Sequence, residues 1–163
     1  MIPEAGFLFS IAGLSASFLG LAGLVMAFRR GGDMQPVDAF RLRQMVEFSF
    51  VNIVVAISIV PLAALLGTSV EAARWVSVGV IAYVVAQNVL FARRGRRAGI
   101  SFRGGWAVLA LVVTGLSVGI AAVVVATSTF GWFEVLLVVL LVRPMLPFLL
   151  VLNSWTTEVR PSG

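Results

Sequence analysis

Glu134 to Trp155 reads EVLLVVLLVRPMLPFLLVLNSW. Its length and its apolar character decide the fold class. A helix rises about 1.5 Å per residue, so about 20 apolar residues cross a hydrocarbon layer roughly 30 Å thick. Leu, Val and Phe follow one another without the alternating polar positions of an outer-membrane barrel strand. The stretch therefore reads as a membrane-crossing helix. Near its middle stand Arg143, Pro144 and Pro147. A cation and two residues without amide donors are costly in hydrocarbon, which makes Leu140 to Pro147 the chemically marked point of the chain.

The same reading extends outward. Of 163 residues, 60% are hydrophobic and 12% charged, against about 25% charged in ordinary globular chains. The apolar residues come in long runs, which predicts an all-α integral membrane protein, a five-transmembrane-helix bundle forming one domain over 1–163. The spans fall at about 5–28, 46–67, 73–91, 106–126 and 133–153. Before span two, Val37 to Glu47 mixes Asp38, Arg41, Arg43 and Glu47 with Phe40, Leu42, Met45 and Val46. Pro36 suits a first helical position, so a short interfacial helix feeding span two is expected there. Arg43 and Glu47, four residues apart, should pair on one face. Pro61 should kink span two, because it deprives the Ile57 carbonyl of its donor. The short turn at Thr68–Glu71 makes spans two and three antiparallel neighbours. Phe130 and Trp132 are expected as interfacial anchors.

Two spans carry stripes of small residues. Gly6, Ser10, Gly13, Ser17, Gly20 and Ala27 lie at alternating steps of four and three, with Leu24 in the register. Gly115, Gly119, Ala122 and Ala126 follow the same steps in span four. Such seams let helix backbones approach closely, and here they predict that spans one and four pack on each other.

Arginine placement gives an orientation. All basic residues are arginine, a usage typical of GC-rich bacterial genomes. With five spans, Arg29, Arg30, Arg41, Arg43, Arg93, Arg94, Arg96, Arg97, Arg103 and Arg160 share one side, and Arg74 lies on the other. The positive-inside rule then predicts a bacterial cytoplasmic (inner) membrane protein, multi-pass, with the amino terminus outside and the carboxyl terminus cytoplasmic. Met1-Ile2-Pro3-Glu4 lacks a basic leader segment, so span one reads as retained. The arginine-rich loop from Arg93 to Arg103 is expected to meet anionic lipid head groups of the bilayer, not nucleic acid: its one aromatic residue, Phe102, makes no recognition surface.

Arg143 leads to the candidate site. Intramembrane cations normally face the bundle interior and have partners. Glu134, nine residues away, falls on the opposite face of the same helix. Asn52, Gln87 and Asn88 lie at comparable depth in spans two and three, with Glu47 at the cytoplasmic start of span two. These five residues, Arg143, Asn52, Gln87, Asn88 and Glu47, form the expected ligand-binding set for a lipid phosphate, a carboxylate or an inorganic anion. The competing expectation is structural: Arg143 bonded to Glu47, or to the Leu140 and Arg143 carbonyls freed by the prolines. Whether span five is one helix or two half-helices is open at this level.

Composition argues against an enzyme. Cys, His and Lys are absent, which removes the common activated nucleophiles, the common general base and the usual transition-metal ligands. No cofactor is implied. The segment Phe40-Arg41-Leu42-Arg43-Gln44-Met45-Val46-Glu47, with the Gly/Ser-striped first span, is similar to small bacterial membrane proteins, a likeness that assigns no activity. Two function classes follow: a small transporter, channel or anion/lipid-binding subunit using Arg143, or a structural or regulatory subunit whose seams assemble a homo-oligomer or recruit a membrane partner.

Overall fold

The computed structural model describes residues 5–28, 36–97 and 105–158, and among these all regular structure is helical. Five helices follow in order: α1 (Ala5–Phe28), α2 (Pro36–Leu66), α3 (Ser69–Arg97), α4 (Gly105–Thr127) and α5 (Phe130–Glu158). All five are long and apolar enough to cross a membrane. The chain is a multi-pass membrane protein. Helix is the structure such sequences must adopt in hydrocarbon, since each backbone donor and acceptor is satisfied within its own segment.

The short helix expected ahead of span two is the opening of α2 itself. Nothing near Val46 interrupts the backbone pattern, and α2 runs unbroken for 31 residues, through Pro61. At about 1.5 Å per residue it is roughly 46 Å long, well beyond the hydrocarbon thickness. Its charged first turns therefore extend toward the aqueous side. α5 likewise runs as one helix through Pro144 and Pro147, which settles the choice between a continuous span and two half-helices.

The two described turns use local capping chemistry. Gly67 adopts φ +85°, and its amide donates to the Ala63 carbonyl at 2.9 Å. A residue there needs the left-handed conformation that glycine adopts without steric cost. Thr68 then caps α3: its Oγ1 accepts from the Glu71 amide at 3.2 Å. At the α4–α5 turn, Ser128 takes φ 50° and donates its amide to Val124 O at 2.9 Å.

Packing is sequential, α1 on α2, α2 on α3 and α3 on α4, with α5 touching all four other helices. The main core joins Leu8, Ile11 and Ala12 of α1, Ala56 and Ile59 of α2, Val80 and Val84 of α3, Ile120 and Val124 of α4, and Phe133, Leu136 and Leu137 of α5. A smaller cluster of Ala22, Leu42, Met45 and Val151 closes the end toward which α2 begins. Phe130, expected at the interface, is instead buried in the core against Phe133, with ring centroids 5.7 Å apart; Trp132 is exposed.

Among the described residues the predicted contact between spans one and four is absent: α5 lies against both, and α1 and α4 do not touch. Both stripes instead face outward: Gly6, Ser10, Gly13, Ser17 and Gly20 are exposed, as are Gly115, Gly119, Ala122 and Ala126. A methyl group built on Gly6, Gly13, Gly20, Gly115 or Gly119 meets no atom within 4 Å. Ser10 and Ser17 donate back to the Gly6 and Gly13 carbonyls at 2.9 and 3.0 Å, so their hydroxyls need no neighbour. Close approach is achieved by other small residues: Ala12, Ser15 and Ala22 on α1, Ser49, Ala56 and Ala63 on α2, Ala73 and Ser77 on α3, Ser117 and Ala121 on α4. A helical interior glycine costs roughly 0.5–1 kcal/mol relative to alanine when nothing packs on it. Gly13→Ala and Gly119→Ala should therefore leave the monomer equally or slightly more stable. Thermal unfolding of the detergent-solubilised protein checks this; a clear loss of stability for either variant would mean that its seam is covered by another molecule.

Candidate functional site

The marked point of α5 lies against α2. Three contacts step along the two antiparallel helices: Asn52 against Leu140, Phe48 against Arg143, and Arg41 against Leu150. The first is the strongest in chemical logic. Pro144 has no amide proton, so the Leu140 carbonyl, four residues earlier, loses its intrahelical donor. Asn52 Nδ2 donates to that carbonyl at 3.0 Å, and Asn52 is only 3% exposed. An asparagine placed on the neighbouring helix thus satisfies an acceptor that proline exposes.

Arg143 is 6% exposed. Its Cζ lies 4.7 Å from the centroid of the Phe48 ring, a cation–π arrangement in a buried site. Nη1 is buried without a hydrogen-bond partner among the described residues. No ion pair joins Arg143 to Glu47, and Asn52, not Arg143, takes the Leu140 carbonyl. The expected structural pairings of this arginine are therefore not the ones formed.

Glu47 is engaged elsewhere. Its Oε1 accepts from Arg43 Nε at 2.9 Å, as the spacing predicts, and from Arg94 Nη1 of α3 at 3.4 Å. The three side chains sit at the mouth of a groove of about 530 Å³ between α2 and α3. Phe40, Gln44, Phe50 and Val51 line it from α2, and Tyr83, Ala86, Gln87, Leu90 and Phe91 from α3. At the mouth the Phe40 and Phe91 rings pack at 5.1 Å. Phe50 and Leu90 are exposed, so the groove has an apolar flank toward the bilayer. Gln87 Oε1 is buried there with no donor among the described residues. Tyr83 lines the inner end and lies within electrostatic range of both Arg143 and Glu47.

The five residues singled out in the sequence thus separate. Glu47 and Gln87 share the groove. Asn52 points to α5, and Asn88 donates to the Val84 carbonyl of its own helix at 2.7 Å. Arg143 lies outside the groove lining, beside Phe48. Sequence reasoning did not assign Arg43, Arg94, Gln44 or Tyr83 to a site. A usable signal was the short α2–α3 turn. Counting equal numbers of residues back and forward from Gly67 sets Glu47 level with Gln87 and Arg43 level with Phe91. Among the described residues no group of three or more His, Cys, Asp or Glu side chains could hold a metal ion. What the groove offers is two guanidinium groups, one carboxylate, amides and apolar walls.

Compared with protein-family models, curated proteins and solved structures, the chain matches none.

Two outcomes test this geometry. Asn52→Leu leaves the Leu140 carbonyl buried and unpaired and should destabilise the protein by about 1–2 kcal/mol. Pro144→Ala restores the backbone donor, so Asn52→Leu should cost less in that background; equal costs in a double-mutant cycle would separate the two residues. Arg143→Met removes a buried charge without an acid partner and keeps comparable volume. It should unfold at the same denaturant concentration as wild type or a higher one.

Proposed function

We propose that the protein is a non-catalytic lipid-binding membrane protein that holds an amphiphile with an anionic head group in the α2–α3 groove. The observation that carries this reading is the joint placement of Arg43 and Arg94 at the mouth of one groove whose flank, Phe50 and Leu90, is exposed and apolar. Guanidinium groups bind phosphate and carboxylate oxygens with several parallel donors, and exposed apolar walls suit acyl chains. Among the described residues the groove is lined by residues 40–51 and 83–94, about two fifths of the length of each helix. That extent supports holding an amphiphile more than passing a solute across the membrane. Arg143 adds positive charge from beyond Tyr83, where low polarity lengthens the reach of its field.

The arginine distribution supports a bacterial cytoplasmic membrane location with the amino terminus outside. Arg41, Arg43, Arg93 and Arg94 lie toward one end of the bundle, and Arg74 toward the other. The groove then opens at the cytoplasmic leaflet, where anionic lipid is met.

Native mass spectrometry in mild detergent tests the reading. The wild type should carry phospholipid-sized adducts that Arg43→Gln/Arg94→Gln loses; identical adducts on both would sink it. A second reading, a structural or regulatory subunit, draws on the outward direction of the α1 and α4 seams. It predicts oligomers in the same spectra that disappear in Gly13→Leu or Gly119→Leu.

A further inference from the structure

Resting on the lipid-binding reading above, we propose that the α2–α3 groove selects a phospholipid of net charge −1 whose head group carries free hydroxyls, the chemistry of phosphatidylglycerol. Three features of the groove converge on that head group.

The first is charge. Arg43, Arg94 and Glu47 together leave the mouth one positive charge in excess, and Arg143 lies in electrostatic range of the inner wall at Tyr83. A lipid of charge −1 balances the mouth. A zwitterionic lipid would bring an ammonium into a region already positive, where like charges repel.

The second is donor supply. Glu47 accepts both arginines on the same oxygen, Oε1. Arg43 spends its Nε proton there and Arg94 one Nη1 proton, out of five N–H donors on each guanidinium. The carboxylate thus holds the two cations side by side and leaves most of their donors for a phosphate. A phosphodiester monoanion needs such a cradle.

The third is the pair of acceptors left over. Among the described residues Gln87 Oε1 is buried without a donor, and Glu47 Oε2 receives no bond. A buried acceptor is rarely left unpaired, so Gln87 Oε1 calls for a hydroxyl or an ammonium, while Glu47, one-third exposed, presents Oε2 to the same donors. With an ammonium disfavoured by charge, the hydroxyls of a glycerol head group are the matching donors. The phosphate then sits on Arg43 and Arg94, the hydroxyls reach Gln87 and Glu47, and the acyl chains lie along Phe50 and Leu90.

The test is lipid titration of the delipidated full chain in detergent, followed by native mass spectrometry. Three synthetic lipids with identical acyl chains serve as probes. Phosphatidylglycerol has charge −1 and hydroxyls. Phosphatidylmethanol has the same charge and none. Phosphatidylethanolamine is zwitterionic. Wild type should bind phosphatidylglycerol about tenfold more tightly than either of the others. The margin over phosphatidylmethanol should vanish in Gln87→Leu, and the margin over phosphatidylethanolamine should shrink in Arg94→Gln. Equal affinity of the wild type for phosphatidylglycerol and phosphatidylmethanol overturns the hydroxyl assignment, and a preference for phosphatidylethanolamine overturns the charge assignment. In both cases lipid binding itself survives. Failure of all three lipids to bind instead removes the lipid-binding reading on which this one rests. The wild-type comparison needs no variant, so a folding defect in Gln87→Leu does not blunt it.

Discussion

The hydrogen bond from Asn52 to the Leu140 carbonyl organises the rest of this bundle. Proline at 144 removes the donor that a continuous helix would supply, and hydrocarbon offers no water to replace it. The missing donor comes from α2. Because an amide side chain reaches only a few ångströms, this one bond sets how far α2 and α5 slide past each other. From that register follow the placement of Arg143 over Phe48 and of Arg41 near the Leu150 carbonyl.

Besides α5, α2 packs on α1 and α3, and the short Gly67–Thr68 turn determines its register with α3. Equal rise on both sides of the turn brings Glu47 and Gln87 to one depth; Arg94 stands about seven residues further along α3, and its long side chain spans that offset to donate to Glu47. The groove, lined among the described residues by α2 and α3, thus follows from the register that the turn sets. Its polar groups stand near an end of each helix, where a guanidinium can reach the head-group region at lower cost than in the hydrocarbon centre. Arg143 has no such outlet. It is held among helices with an aromatic face for a partner, and its unpaired Nη1 shows that packing there does not offer full compensation.

The small-residue stripes show where pattern and environment part. In water an apolar face turns inward because exposure is penalised, but in a bilayer lipid is as apolar as leucine and imposes no such direction. α1 carries two candidate faces: the glycine–serine stripe and the face of Leu8, Ile11, Ala12, Ser15 and Ala22. Only the second is buried. It combines small residues with Leu8 and Ile11, which interdigitate with the neighbouring helices, whereas the glycine stripe offers no side chain to fill space. Fit of volumes, not smoothness alone, selects the packed face.

By itself the sequence determined the class of fold and the number of helices, because run length against hydrocarbon thickness is a local property, while α2, α3 and α5 run several residues beyond the apolar spans. It also singled out Pro144, Arg143 and Asn52 as chemically consequential, and paired Arg43 with Glu47 through helical spacing alone. The tertiary structure decided the remainder: that α5 lies between α1 and α4, that Asn52 serves the proline-freed carbonyl, that Arg143 meets a ring and not an acid, and that Arg94 joins Glu47 across a groove. Each depends on how two helices are rotated and slid against each other. Those two degrees of freedom are governed by side-chain volumes and single hydrogen bonds distant in the chain, and no periodicity within one helix encodes them.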